Sequence, residues 1–211
     1  ECKEYGNIIL VIDEIHNIVY MGNIRCNRFN SLAEMGITID TINREHKTDF
    51  KLKIYTIETN EQILKRFDGI SSIQLCGFVS GREFKETFQA ADTLLHVEAF
   101  DEDSIDLVKH SISTKIADSL GSGICLFAYG PKQVASIGYL KRNDCAIVCT
   151  DKALLKERIL QLFFDGNLRE RIVKQALIVA SANHNSTIVG KSVYAILKEV
   201  AYESSANQLC S

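Results

Sequence analysis

Short apolar runs alternate along the chain with longer stretches in which apolar residues recur every three or four positions. NIVYMG (17–22), KLKIYTI (51–57), SIQLCGFV (72–79), TLLHVEAF (93–100), ICLFAYG (124–130) and CAIVCT (145–150) read as strands. Each is short, mostly apolar and bounded by turn residues. Between them, residues 27–45 place Phe29, Leu32, Met35, Ile39 and Ile42 close to helical spacing. Residues 61–67 form a short helix, and 81–91 set Phe84 and Phe88 four apart on one helical face. Further helices are expected over 104–121, 132–142 and 151–164, then from Asn167 to about Tyr202 with a break near NHNST (183–187). NIILVI (7–12) is one more apolar run, with no assigned role.

Six strands alternating with helices predict an α/β fold over residues 1–211: one Rossmann-like domain, a parallel six-stranded sheet with helices on both faces, and a C-terminal helical extension. The crossovers should be right-handed. Such a sheet binds ligands beyond the carboxyl ends of its strands, so functional residues should come after strands.

Composition narrows this picture. At 211 residues and 46% hydrophobic, the chain can bury a substantial core in one domain, or at most two small ones. A net charge of -3 argues against a nucleic-acid partner, although local anion binding remains open. Seven cysteines at 2, 26, 76, 125, 145, 149 and 210 are odd in number and widely spaced. They read as buried free thiols in a reducing, cytoplasmic compartment rather than as a zinc site. No apolar run is long enough to span a bilayer. The opening residues lack the basic flank of a signal peptide, and the absence of an initiator methionine fits a piece excised from a longer protein.

Four segments carry candidate chemistry. YMGNIRCNR (20–28) comes after the first strong strand. Gly22 admits close approach of backbone to ligand, the next helix offers free amides to an anion, and Arg25 and Arg28 suit phosphate oxygens. A tight turn with solvated arginines is the plainer reading. SISTKIADSLGSG (111–123) should end a helix, with Lys115 and Asp118 on one side of it and Gly121 and Gly123 stopping it. Lys115 suits a diphosphate, and Asp118 suits two ribose hydroxyls. The same two residues also suit a surface ion pair. AYGP (128–131) offers the Gly130 amide. In GFVSGREF (77–84), Gly77 and Gly81 either flank a base or only turn the chain.

HVEAFDEDSIDLVKH (96–110) is unusually acidic. A solvated loop with helix-capping acids, a sugar site and a hard-cation site all fit it, but calcium-loop spacing is absent. His96 lies in an apolar strand and reads as a satisfied core histidine. His184 reads as an interface or capping residue more readily than as a ligand contact.

Together YMGNIRCNR, KLKIYT, IQLCGFVSGREF, ADTLLHVEAF, STKIADSLGSG and FAYGP resemble, in order, the C-terminal, nucleotide-sugar-binding half of retaining two-Rossmann-domain (GT-B) glycosyltransferases of the family four group. The resemblance covers roughly residues 15–200. It implies that Arg28, Lys115 and Glu98 are the catalytic set, with Arg28 and Lys115 on the donor diphosphate and Glu98 near the donor sugar. It implies donor contacts from Gly22, Asn23, Arg25, Gly77, Phe78, Ser113, Thr114, Asp118 and Gly130, and no metal or other cofactor. Two departures stand out. Aspartate replaces the usual glutamate at 118, and the gap from Glu98 to Asp118 exceeds the family's common spacing, so the acidic loop, Ser111 or Ser113 are alternatives to Glu98.

The family reaction occurs between two such domains. The expected partners are therefore a nucleotide-sugar and an N-terminal acceptor domain absent from this sequence, with peripheral membrane association through the full-length protein. A nucleotide-sugar isomerase half-domain and a non-catalytic interaction domain remain alternatives. A dinucleotide oxidoreductase fits less well, because no G-x-G-x-x-G comes after the early strands.

Overall fold

A computed structural model describes residues 17–208, with side chains through residue 199. The apolar run at 7–12, Cys2 and Cys210 lie outside the described residues. Six strands form one sheet: β1 (Asn17–Met21), β2 (Lys51–Tyr55), β3 (Ile73–Gly77), β4 (Thr93–Val97), β5 (Cys125–Tyr129) and β6 (Ile147–Cys149). Every pairing is parallel, and the order is β3-β2-β1-β4-β5-β6. The chain leaves β1 toward one edge and returns to β4 on its other side. The topological switch point therefore falls between β1 and β4, where this architecture opens a crevice.

Strand alternation builds the two faces of the core. Ile18 and Tyr20 of β1, with Phe127 and Tyr129 of β5, join one buried cluster. Val19, Leu126 and Ala128 join the other. Helix α1 (Arg28–His46) buries Leu32, Met35, Ile39 and Ile42 completely, and their spacing places them on one face. It ends at Lys47 in the left-handed region, with Arg44 and His46 in the last turn. Helix α2 (Glu61–Leu64) continues into a 3-10 turn, and α3 (Gly81–Gln89) buries none of its residues fully.

The helix expected over 104–121 is two helices. α4 (Glu102–Val108) and α5 (Lys115–Leu120) are separated by a turn in which the Ser111 amide donates to the Val108 carbonyl. Ile105, Val108, Ile112 and Ile116 keep helical spacing across this region, yet Ile112 is 46% exposed. Without burial to reward a continuous helix, the polar run at 109–114 breaks it. Lys115 therefore begins a helix, where the sequence placed it near a helix end. Gly121 caps α5, and Gly123 turns the chain with φ 78°.

Helix α6 (Ala135–Arg142) lies between β5 and β6 in sequence. A 3-10 turn then leads into α7 (Leu155–Phe164), succeeded by α8 (Gly166–Asn183) and α9 (Ser186–Gln208). The break between α8 and α9 falls within 183–187, as the sequence indicated. α9 leaves Ile188, Val189, Val193, Tyr194, Ile196 and Leu197 exposed. No described helix is long and apolar enough to cross a membrane. Among the described residues, Cys125, Cys145 and Cys149 are buried free thiols, whereas Cys26 is exposed and Cys76 only half-buried, contrary to the expectation of burial.

Candidate functional site

The loops after β1 and β4 face each other across the switch point. After β1, Gly22 donates its amide to the Tyr55 carbonyl, and Asn23 Oδ1 accepts the Arg25 amide at 2.7 Å. Cys26 and Asn27 then take left-handed backbone conformations (φ 51° and 54°), which turn the chain into α1. The first amides of α1 are not free for an anion: Arg28, Phe29 and Asn30 donate to the carbonyls of Arg25, Ile24 and Asn27. The loop closes on itself, so positive charge here comes from side chains.

Arg28 and Glu98 form the centre. Arg28 Nε and Nη2 approach Glu98 Oε2 at 2.9 and 2.8 Å. The Glu98 side chain is only 6% exposed. Burial pushes its carboxyl above the ordinary range, and Arg28 pulls it back. The backbone beneath is fixed as well: the Glu98 amide donates to the Tyr129 carbonyl, and its carbonyl accepts from the buried Ser31 hydroxyl.

Gly130 supplies the space. A Cβ there would stand 3.0 Å from Glu98 Cβ and 3.1 Å from Ile137. Its amide, expected to face a nucleotide, donates instead to the Cys149 carbonyl. Gly130 is therefore a spacer behind the site. The reason is non-local: the residue is buried between β5 and β6.

Lys115, from the start of α5, reaches back over the β1 loop. Its Nζ would lie 2.8 Å from a Cβ placed on Gly22. Burial and then the neighbouring Arg28 push its amine below the ordinary lysine range. It has no carboxylate partner among the described residues.

Arg28, Lys115, Glu98, Asn23 and Ser113 line one cleft of about 160 Å³. A second cleft of about 200 Å³ shares Met21, Asn23, Phe84 and Lys115 with it and continues past Tyr55, Ile57 and Phe78. Its wall is mainly apolar, and Phe78 stands 62% exposed beside Gly77, whose φ is +73°.

The remaining expected residues are placed differently. Arg25 is held by the buried Glu58 carboxylate at 2.8 Å and lines neither cleft. Thr114 is the exposed residue preceding α5 and makes no capping bond with its side chain. Asp118 lies one turn beyond Lys115 and lines neither cleft. In the acidic segment, Asp101 caps α4 by accepting the Ser104 amide, and Asp106 pairs with Lys109. Among the described residues no three metal-ligating side chains gather. His184 bonds the Tyr139 hydroxyl at 2.9 Å, a local tie between α8 and α6.

Sequence reasoning missed three participants. Glu58 lies just after β2 and was not singled out. Tyr20 donates its hydroxyl to the Asn23 carbonyl at 2.6 Å and braces the β1 loop from below. Burial pushes its phenol well above the ordinary range. Ser136 bonds His96 at 3.0 Å. His96 is satisfied, as expected of a core histidine, but it also lines the first cleft. Only its place two residues before Glu98 hinted at this.

No family model and no curated protein sequence matches the chain. Solved structures do. The α,α-trehalose 6-phosphate synthase of Burkholderia multivorans superposes with a TM-score of 0.66 at 13% identity, over 93% of this chain and 45% of that one. The C-terminal domain of a glycosyl transferase group 1 family protein (LpcC) from Francisella tularensis gives 0.59 at 13% identity, over 81% and 87%. The S. aureus MnaA–UDP co-structure gives 0.54 at 12% identity, over 78% and 41%. The likeness is one of fold, and it takes in the C-terminal domain of a glycosyl transferase group 1 family protein. The chain spans less than half the length of the synthase it matches.

Proposed function

We propose that this chain binds a nucleoside-diphospho-sugar and, with an acceptor-binding domain supplied by a longer protein, transfers the sugar with retention. One observation carries the reading. Arg28 and Lys115, from helices 87 positions apart in sequence, converge on a single cleft at the switch point, and Lys115 has no carboxylate among the described residues to neutralise it there. Two cations over a half-buried crevice suit a pyrophosphate.

Each side chain then has a role. Lys115 and Arg28 meet the diphosphate and stabilise the negative charge that develops on it as the glycosidic bond breaks. Glu98 acts by holding Arg28. The apolar second cleft, with Gly77 and Phe78 at its rim, takes the base. Asp118 lines neither cleft but stands exposed one helical turn from Lys115, and from there it takes the ribose hydroxyls. The reading requires no metal ion, because two cations already face the leaving group. The fold likeness to a glycosyl transferase domain and to a UDP co-structure supports the same assignment.

Calorimetry on the chain with UDP, GDP and ADP, and with the matching nucleosides, tests it. At least one diphosphate should bind, and Lys115→Ala should weaken it about tenfold or more while leaving the nucleoside nearly unchanged. Absence of binding by every diphosphate would favour a non-catalytic interaction domain.

A further inference from the structure

Glu98 divides its carboxylate between two neighbours. Oε2 takes both Arg28 contacts. Oε1 faces His96 Nε2 at 3.5 Å, and that nitrogen also stands 3.0 Å from Ser136 Oγ. Among the described residues, no other side chain is in hydrogen-bond or ion-pair contact with Oε1. The imidazole is 13% exposed, and Ser136, in the first turn of α6, is fully buried.

This arrangement bears on Arg28. The last torsion of a glutamate is soft, so a carboxylate held through one oxygen can swing. A second contact, at Oε1, limits that swing, and His96 Nε2 stands 3.5 Å from it. The tautomer with its proton on Nε2 places a donor between Ser136 Oγ and Glu98 Oε1.

We propose that His96 is a positioning residue of the cleft: it fixes the Glu98 carboxylate through Oε1, and Glu98 in turn aims Arg28 at the diphosphate. The inference rests on the donor-binding reading above. A neutral imidazole is suited to the task, since closing the 3.5 Å gap would give a hydrogen bond to Oε1 without adding a third positive charge beside Arg28 and Lys115. Burial, then Arg28 and Lys115, push its pKa down to about 4, so it stays neutral near pH 7.

The test compares His96→Leu and His96→Gln in the full chain, by calorimetry with UDP, uridine and inorganic pyrophosphate. Leucine removes the contact and should weaken UDP and pyrophosphate about tenfold while leaving uridine within about twofold. Glutamine offers an amide N–H in place of Nε2 and should recover most of that loss. In an Arg28→Ala background the His96→Leu effect should vanish, because His96 acts through Arg28. Where leucine does not fold, His96→Asn takes its place with the same expectations, its amide being too short to reach Oε1. Unchanged UDP affinity, equal losses for UDP and uridine, or a full effect without Arg28 each overturn the inference and leave the donor site standing. Failure of the unsubstituted chain to bind UDP, GDP, ADP or pyrophosphate overturns the donor-binding reading and the inference with it.

Discussion

Arg28 and Glu98 stand 70 positions apart in the chain, yet two guanidinium nitrogens lie within 2.9 Å of one carboxylate oxygen. The pair joins the first residue of α1 to the residue after β4, across the point where the sheet changes direction. It therefore couples the stability of the switch point to the placement of the cation nearest the cleft. Those two consequences are separable by substitution.

Removing one partner strands the other. Glu98→Ala leaves a largely buried guanidinium without its anion and should cost about 3–5 kcal/mol. Replacing both, as Arg28→Met with Glu98→Leu, should restore most of that stability while abolishing the selective grip on a diphosphate. Urea denaturation and calorimetry with UDP, applied to wild type and both variants, check the two halves. A double variant that keeps wild-type UDP affinity would remove Arg28 from the site.

Gly22 offers a gentler perturbation. A methyl group there would stand 2.8 Å from Lys115 Nζ and 3.3 Å from the Tyr20 hydroxyl. The amine ends a flexible side chain and can retreat, so Gly22→Ala should change stability by less than about 1 kcal/mol. The retreat takes the charge off the cleft. UDP affinity should fall several-fold with the melting temperature nearly unchanged. A large loss of melting temperature would mean that the glycine serves the fold instead.

The strands were legible in the sequence because short apolar runs are local signals, but their ends were not: the runs at 72–79 and 93–100 stop as strands at Gly77 and Val97. Gly22 and Glu98 stand directly after β1 and β4 and Arg28 begins α1, but Lys115, expected near the end of a helix over 104–121, begins α5 instead. The errors arose where a partner is distant. Gly130 looked like a ligand contact after β5, but its amide belongs to Cys149 on the neighbouring strand. Arg25 looked equivalent to Arg28, yet Glu58, 33 positions away, holds it outside the cleft. The split between α4 and α5 was hidden because Ile105, Val108, Ile112 and Ile116 keep helical spacing although Ile112 faces solvent. Periodicity reports spacing and says nothing of what stands opposite.

Asp118 occupies the first turn of α5, one turn past Lys115. If it receives the ribose, its carboxylate accepts from the 2′ and 3′ hydroxyls. Asp118→Ala should then weaken a ribonucleoside diphosphate about tenfold and leave its 2′-deoxy counterpart less affected. Calorimetry with UDP and 2′-deoxy-UDP measures the ratio directly. An unchanged ratio would assign the ribose contact to another group.

His96 should leave a signature in the pH dependence of stability. The charged groups facing it are Arg28 from α1, Lys115 from α5 and Glu98 from its own chain segment. The folded imidazole titrates at about 4, against 6.5 for an unperturbed histidine. Between those values the unfolded chain binds a proton that the folded chain does not, so stability rises with pH across the window and is lost on acidification. The full difference corresponds to about 3 kcal/mol at the acid end. Glu98, whose carboxyl is pushed up, works in the opposite sense over the acid part of the same range. The comparison must therefore be made against His96→Gln, which keeps Glu98 and deletes the titrating ring. Urea denaturation of both proteins from about pH 7 down to about pH 4 should show the wild-type chain losing ground to the variant as the solution is acidified. Parallel pH curves would mean that the ring takes up its proton in the folded state, and that a charged imidazole sits beside Arg28.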